Sequence, residues 1–299
     1  MWNQLRRLKT IRLAALRGNS LISRLQIQKD INYFGVTLKI PSRHPLEKML
    51  QSGHRESTLR ILSKHVFSPA KNHYVDIGAH VGDTPALIET FAGLPLRSDL
   101  VEPSEFFFRY LAFNSRLLND PTLHKKFAAT SFPAEPLVGE FHHWTGNAEI
   151  VPLGHNLIAS AESQVNLSTL VGESTALVKV DCEGLDLKIL NAAFQSGMAG
   201  SPVIYFECTI RTEEDLEDLK TLLKFLENHW RKVIITDPSG ISILSDPSFS
   251  QVLELARYQL LLGKIGLQQN LYYFDLAFFP IGSESEWLET IRESTLLNQ

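Results

Sequence analysis

From residue 73 onward the chain alternates short apolar runs with longer segments whose apolar residues recur every three or four positions. This alternation constrains the fold more than any other feature, because neighbouring parallel strands need a crossover and a helix supplies it. Residues 73–77, 99–101, 177–180, 203–207, 233–236 and 271–279 read as strands, and 127–134 as a weaker third strand. Phe107, Tyr110, Leu111, Asn114, Leu117 and Leu118 mark the buried face of one helix at period 3.6. Residues 185–196 and a segment around 247–262 read as further helices, and Leu216, Leu219, Leu223, Leu226 and Trp230 line another. Upstream, residues 33–40 read as a short strand closed by Pro41, and 45–65 as helical. The expectation is one α/β domain with an N-terminal elaboration. Hydrophobic residues make up 44% of the 299, enough for a sizeable core, which excludes a disordered chain or a small disulfide scaffold. Two cysteines, Cys182 and Cys208, lie in apolar runs and are expected as reduced core thiols in a cytoplasmic setting. No run approaches the ~18 apolar residues of a membrane-spanning helix.

The strand at 73–77 runs into Asp76-Ile77-Gly78-Ala79-His80-Val81-Gly82, with Thr84 as the expected N-cap of the next helix and Pro85 at its first position. In an open α/β sheet, ligands bind outside the carboxyl ends of the strands, where this loop falls. Gly78 permits a sharp turn, and a side chain at Gly78 or Gly82 would block a ligand from the backbone. Glu102 follows Gly82 by 20 residues, at the end of the next strand, where a carboxylate can accept hydrogen bonds from both ribose hydroxyls of an adenosine. The spacing is G-x-x-x-G rather than G-x-G-x-x-G, and an acid precedes it. Asp76 would repel a pyrophosphate but suits a cofactor with an ammonium group, such as S-adenosylmethionine. The other reading of the glycines is a tight strand-to-helix turn and nothing more.

These residues resemble the FkbM-type methyltransferases, which use S-adenosylmethionine. The most specific element is residues 177–190, Leu-Val-Lys-Val-Asp-Cys-Glu-Gly-Leu-Asp-Leu-Lys-Ile-Leu. It is similar to the family signature of a lysine, an apolar residue, Asp, any residue and Glu-Gly, followed by an acid. Residues 74–84, Val101-Glu102-Pro103 with Leu111 and Asn114, residues 203–207, and Gly53 with Glu56 follow in the family order, so that the resemblance spans roughly residues 50–280. His80 stands where the family often has Asn, and Thr169-Leu170-Val171 where it often has Leu-Asp. The resemblance implies a Rossmann-like doubly wound sheet of about seven strands, the last antiparallel. It also implies methyl transfer to a hydroxyl oxygen, often on a sugar or natural product. Domains are then expected at 1–45, a basic N-terminal extension carrying a helix, and 46–299, a methyltransferase domain with a cap-like, irregular segment at 136–164.

Cofactor contacts are expected at Asp76, Gly78, Ala79, His80, Gly82, Glu102, Pro103 and Asp181. Asp181 and Glu183 end the fourth strand and are candidates to orient the acceptor hydroxyl or take its proton, with Glu207 a further strand-end carboxylate. The alternatives are an N-cap role for Asp181 and a surface carboxylate for Glu183; Lys179 is expected to point into the fold. His142, His143 and His155 lie in the segment that would cover the site, and the His pair lacks the further ligands of a zinc centre, so no metal is expected.

Lys+Arg number 29 and Asp+Glu 33, a mildly acidic balance that does not point to nucleic acid. The distribution is uneven. Arg6, Arg7, Lys9, Arg12, Arg17, Arg24 and Lys29 precede the first acid, Asp30, and Leu5, Leu8, Ile11, Ala15 and Leu16 approximate a helical stripe. Residues 1–29 therefore fit peripheral contact with an anionic membrane or an acidic partner, a mitochondrial-type presequence, or a solvated helix packed on the domain. The partner expected is a small-molecule or glycan acceptor. Rival readings are a cofactor-binding scaffold without catalysis and a nicotinamide-dependent oxidoreductase.

Overall fold

The computed structural model describes residues 28–42, 44–52, 57–141, 148–150, 157–182, 184–237, 240–267 and 271–296. The expected helix in the basic extension lies outside them. In chain order the strands are β1 (Gln28–Tyr33), β2 (Val36–Pro41), β3 (His73–Ile77), β4 (Arg97–Val101), β5 (Asp120–His124), β6 (Phe127–Ala128), β7 (Leu137–Phe141) and β8 (Ala148–Ile150). They continue with β9 (Leu157–Ala159), β10 (Gln164–Val165), β11 (Thr175–Val180), β12 (Val203–Cys208), β13 (Trp230–Thr236), β14 (Ser242–Ser245) and β15 (Phe274–Pro280). The helices are α1 (Leu46–Ser52), α2 (Ser57–His65), α3 (Asp83–Ala92), α4 (Glu105–Asn114), α5 (Asp186–Gln195), α6 (Glu213–Leu226), α7 (Phe249–Lys264) and α8 (Glu284–Leu296).

Eight strands form one sheet in the order β14-β13-β15-β12-β11-β3-β4-β5. The pairs from β12 to β5 are parallel, and β15 runs antiparallel to both of its neighbours. The fold is thus a Rossmann-like, doubly wound α/β sheet. The eighth strand, β14, is a hairpin partner of β13, beyond the seven expected. All five residues of β3 and all six of β11 are buried, as strands covered on both faces must be. On one face, Val75, Ile77, Val178, Val180, Ile204 and Phe206 pack against α5, α6 and α7. On the other, Tyr74, Leu100, Leu177, Tyr205 and Ile234 pack against α2, α3 and α4.

Several elements differ from expectation, each for a local reason. The single strand at 33–40 is a hairpin, because Phe34 and Gly35 both have positive φ and reverse the chain. Its inner residues Ile31, Tyr33, Leu38 and Ile40 join the same hydrophobic cluster as α3 and α4. The helix expected over 45–65 is two helices, α1 and α2. The third sheet strand is β5, not 127–134, whose residues Phe127–Ala128 pair instead with β10. The β5 sequence DPTLH does not read as a strand, but an edge position tolerates Pro121. Asp99 ties it in, its carboxylate accepting from His124 Nε2 (2.6 Å) and His73 Nε2 (3.0 Å). The segment expected to be irregular contains a small antiparallel sheet, β8-β7-β9. Trp230 begins β13 rather than ending a helix, its indole N–H donating to Pro202 O (2.9 Å).

Candidate cofactor and acceptor site

From β3 the chain proceeds outward to β4 and β5, whereas β11 lies on the other side of β3. The crevice between the carboxyl ends of β3 and β11 is therefore the switch point at which such sheets bind ligands. Two backbone bridges build its floor. The N–H groups of Gly78 and Ala79 both donate to Val101 O (2.9 and 3.0 Å), and Asp181 N–H donates to Ile77 O (3.0 Å).

Gly78 has φ +86°, and a Cβ there would overlap the Asp181 carbonyl oxygen. Only glycine lets the two strand ends meet this closely. Gly82 (φ +89°) serves as the N-cap of α3, so that Thr84 and Pro85 fall inside the first turn and Thr84 is not the cap. Pro85 is tolerated there because first-turn N–H groups have no helical partner. His80 also holds a left-handed conformation (φ +48°), its ring centroid 3.9 Å from that of Phe107. Asn114 fastens the loop from outside. Its side-chain amide donates to Val81 O (2.7 Å) and Lys39 O (2.9 Å), and its oxygen accepts from Lys39 N–H (2.9 Å).

Glu102 is 4% exposed and braces the loop, Oε2 accepting from His80 N–H (3.0 Å) and Oε1 from Ser104 N–H (2.7 Å). Burial pushes this carboxyl up to about 8 against those two donors. Asp76 is fully buried beneath the loop. The Lys179 ammonium lies 3.1 Å from Asp76 Oδ1, 3.4 Å from Asp181 Oδ2 and 3.5 Å from Gly78 O. Lys179 points into the fold, as expected, and ties both strand ends together. Asp76 Oδ2 accepts no hydrogen bond among the described residues. Burial pushes Asp76 up to about 6, with Lys179 opposing the rise.

Asp181 does not cap α5. Asp186 performs the closing role, Oδ1 accepting from Cys182 N–H and Oδ2 from Gly184 N–H (both 3.1 Å). Burial, then the neighbouring Asp181, push Asp186 up to about 7. The Asp181 side chain, 25% exposed, stands at the crevice. Gly78, His80, Pro103 and Cys182 are also partly exposed there, whereas Asp76, Ala79, Gly82 and Glu102 lie behind them.

Glu207 is the penultimate residue of β12 and is directly opposite Asp275 of β15, so both carboxylates share one face of the sheet. Thr209 Oγ1 donates to Glu207 Oε1 and the Tyr205 hydroxyl to Asp275 Oδ2 (both 2.9 Å). The pairing of Asp76 with Lys179 and of Lys179 with Tyr205 extends this polar row back to the glycine loop. Asp275 and Tyr205 were not anticipated from the sequence; their link to Glu207 depends on an antiparallel register that local pattern does not reveal. Glu183, His142, His143 and His155 lie outside the described residues.

The Cys182 and Cys208 thiols are raised well above their ordinary range by burial, which disfavours the nucleophilic thiolate. Among the described residues no group of three His, Cys, Asp or Glu is placed to hold a metal ion. A hollow of about 450 Å³ between the C-terminal ends of α5 and α6, lined by Phe194, Phe225, His229 and Trp230, contains none of the crevice residues.

No protein-family model matches the chain, nor does any curated protein sequence. Solved structures of similar shape include M. jannaschii TYW2 in complex with AdoMet, at 13% identity over 85% of this chain and 87% of that one, TM-score 0.42. Aeropyrum pernix fibrillarin with natively bound S-adenosyl-L-methionine is similar at 10% identity over 84% and 82%, TM-score 0.41. The StiE O-MT (residues 961–1257) is similar at 14% identity over 84% of each chain, TM-score 0.42. At such identities and scores these likenesses carry no functional weight.

Proposed function

We propose that this chain is an S-adenosylmethionine-dependent methyltransferase that methylates a hydroxyl group of a carbohydrate, glycolipid or secondary metabolite. The observation that carries the reading is the switch-point loop itself. Gly78 is bare where a Cβ would strike Asp181, and behind it lies the buried Asp76 carboxylate, one oxygen of which has no donor among the described residues. A buried acid at that point favours a cationic ligand and disfavours a pyrophosphate. The residues present therefore fit a cofactor that bears an ammonium and a sulfonium.

Gly78, His80 and Pro103 would line the cofactor side, with Glu102 holding the loop through its two backbone contacts. When bound, the cofactor supplies an activated methyl group, and its own thioether is the leaving group. The protein holds the acceptor oxygen in line and accepts its proton. Asp181 is the carboxylate assigned to that role, since it is exposed at the crevice and anchored by Lys179. Glu207 and Asp275 extend the same face and suit a polyhydroxylated acceptor, because each carboxylate can accept from hydroxyl donors.

Calorimetric titration of the full chain with S-adenosylhomocysteine tests this reading. Saturable binding is expected, weakened in Glu102→Ala by about 2 kcal/mol, because the backbone N–H groups of His80 and Ser104 lose the acceptor that holds the loop in its binding conformation. Absence of binding, or unchanged affinity in the variant, would refute the assignment. Binding of NADH in its place would favour the oxidoreductase.

A further inference from the structure

The carboxyl end of β12 and the segment entering β15 lie at the same end of the sheet as the crevice, since β12 runs parallel to β11 and β15 antiparallel to β12. Cys208 is opposite Phe274, and just beyond that pair Arg211 meets Tyr272. The Arg211 guanidinium lies over the Tyr272 ring, with Cζ 5.7 Å from its centroid, and Nη2 donates to the Tyr272 hydroxyl (3.1 Å). The same guanidinium reaches the turn that follows Asp181, because a Cβ at Gly184 would stand 3.8 Å from Arg211 Nη1. An exposed arginine thus stands beside the strand end that carries Asp181.

Both residues are held from behind. Gln259 of α7, 3% exposed, donates through Nε2 to Tyr272 O (2.6 Å) and accepts through Oε1 from Ile210 N–H (2.8 Å). One buried amide therefore fixes the backbone on each side of the pair. Arg211 N–H donates in turn to Asp215 Oδ2 (2.9 Å), which joins it to the capping box of α6. A long exposed side chain ordinarily samples many rotamers, whereas this one starts from a fixed backbone and rests on a ring. No carboxylate pairs with the guanidinium among the described residues, because the acids around it are engaged elsewhere. Glu213 pairs with Lys264, Glu214 with Lys188, Asp215 with the backbone N–H groups of Arg211 and Thr212, and Glu207 with Thr209.

A guanidinium is planar and presents paired N–H donors that match a carboxylate or a phosphate. We propose that Arg211, braced by Tyr272, binds an anionic oxygen group, carboxylate or phosphate, on the methyl acceptor, so that the preferred acceptor is an acidic sugar rather than a neutral one. The assignment of this ligand as the acceptor rests on the methyltransferase reading. Hydroxyl groups of the acceptor meet Glu207 and Asp275, and its anion meets Arg211. An acceptor without the anion forfeits the charge-assisted contact, and one that turns its anion toward Glu207 or Asp275 is repelled. Charge therefore sets the orientation of the acceptor as well as its affinity.

The test titrates glucuronate, glucose-6-phosphate and glucose into the isotope-labelled full chain in the presence of S-adenosylhomocysteine. The readout is the Arg211 Nε–H resonance, assigned by its loss in Arg211→Gln. A saturable shift is expected with an acidic sugar and none with glucose, and the stronger of the two acidic sugars tells whether carboxylate or phosphate is the group recognised. Calorimetry with that sugar should show affinity about tenfold or more weaker in Arg211→Gln and about threefold weaker in Tyr272→Phe, which keeps the ring and loses the hydroxyl. Arg211→Lys, which keeps the charge without the fork, should recover part of the loss. Circular dichroism confirms that each variant is folded. A shift no larger than that of Arg231, exposed at the opposite end of the sheet, overturns the proposal, as does an equal response to glucose or undiminished affinity in Arg211→Gln. Unchanged affinity in Tyr272→Phe overturns the bracing role. S-adenosylhomocysteine calorimetry on the same sample separates the two readings. Anion binding without it refutes the methyltransferase reading, and its binding without anion recognition refutes the role of Arg211 alone.

Discussion

Replacing Gly78 by alanine separates two physical reasons for a glycine at the crevice. The first is backbone conformation, since φ is +86° and an L-residue with a Cβ in this region loses roughly 1–2 kcal/mol. The second is the approach of β11: the new Cβ would overlap the Asp181 carbonyl oxygen and sit 3.0 Å from its carbon. Neither partner can yield cheaply. Gly78 and Ala79 are both held by Val101 O, and Asp181 by Ile77 O. Overpacking of this kind adds about 1–3 kcal/mol, so the combined loss is about 4 kcal/mol, large but compatible with a folded protein. Gly93 is the control, with φ +70° and open space, nothing within 4 Å, where an added methyl group would stand, so Gly93→Ala should lose only about 1 kcal/mol. Urea unfolding of both variants measures the difference. If Gly78→Ala relieves the overlap by displacing the loop, the missing stability should reappear as weaker S-adenosylhomocysteine binding, about tenfold per 1.4 kcal/mol. A Gly78→Ala variant no less stable than Gly93→Ala, with wild-type binding, would refute the close-approach argument.

Lys179→Met removes the ammonium shared by Asp76 and Asp181 and should destabilise by about 3 kcal/mol at neutral pH, less at pH near 5, where Asp76 is protonated. Adding Asp76→Asn should recover most of that loss in urea unfolding; a double variant as unstable as the single one would contradict the pairing. Asp76, Asp186 and Glu102 are pushed up to about 6, 7 and 8, so the folded state retains protons that the unfolded chain releases. Their contribution to stability is thus present at acid pH and lost as pH rises from about 4 to about 8, the reverse of an ion-paired carboxylate. Unfolding free energies measured across that window should fall, and a rising trend would exclude it. Asn114→Ala leaves Val81 O and both backbone groups of Lys39 without this partner, and should lose about 2–3 kcal/mol. Faster amide exchange at residues 36–41 is the expected signature, and unchanged exchange would show that the hairpin holds without it.

The parts of this protein legible in its sequence are those that local pattern determines. The buried runs at 73–77 and 177–180, the periodic helices, the glycines of the loop and the acid at residue 102 each announce themselves within a few residues. Pairing across long separations does not. The strand Asp120–His124 is polar and contains a proline, and it is recognisable only once His124 meets Asp99. The turn at Phe34-Gly35 was hidden inside an apolar run, because Phe at positive φ carries no sequence signal.

The same division applies to the site. Asp76, Gly78, Glu102 and Asp181 stood out from their positions at strand ends, and local chemistry sufficed to nominate them. The tertiary structure decided their division of labour. Asp76 and Glu102 lie buried behind the loop, Asp181 reaches the crevice, and Asp186 takes the closing role in the turn. It also brought Asp275 and Tyr205 beside Glu207, through an antiparallel register set by a strand about 70 residues further along the chain. Sequence by itself determined the buried central strands and where glycine is indispensable, since steric and periodic rules act over a few residues. Which charges share a cavity, and which reach solvent, depended on how the sheet was ordered, because burial and electrostatic coupling are properties of packing across strands.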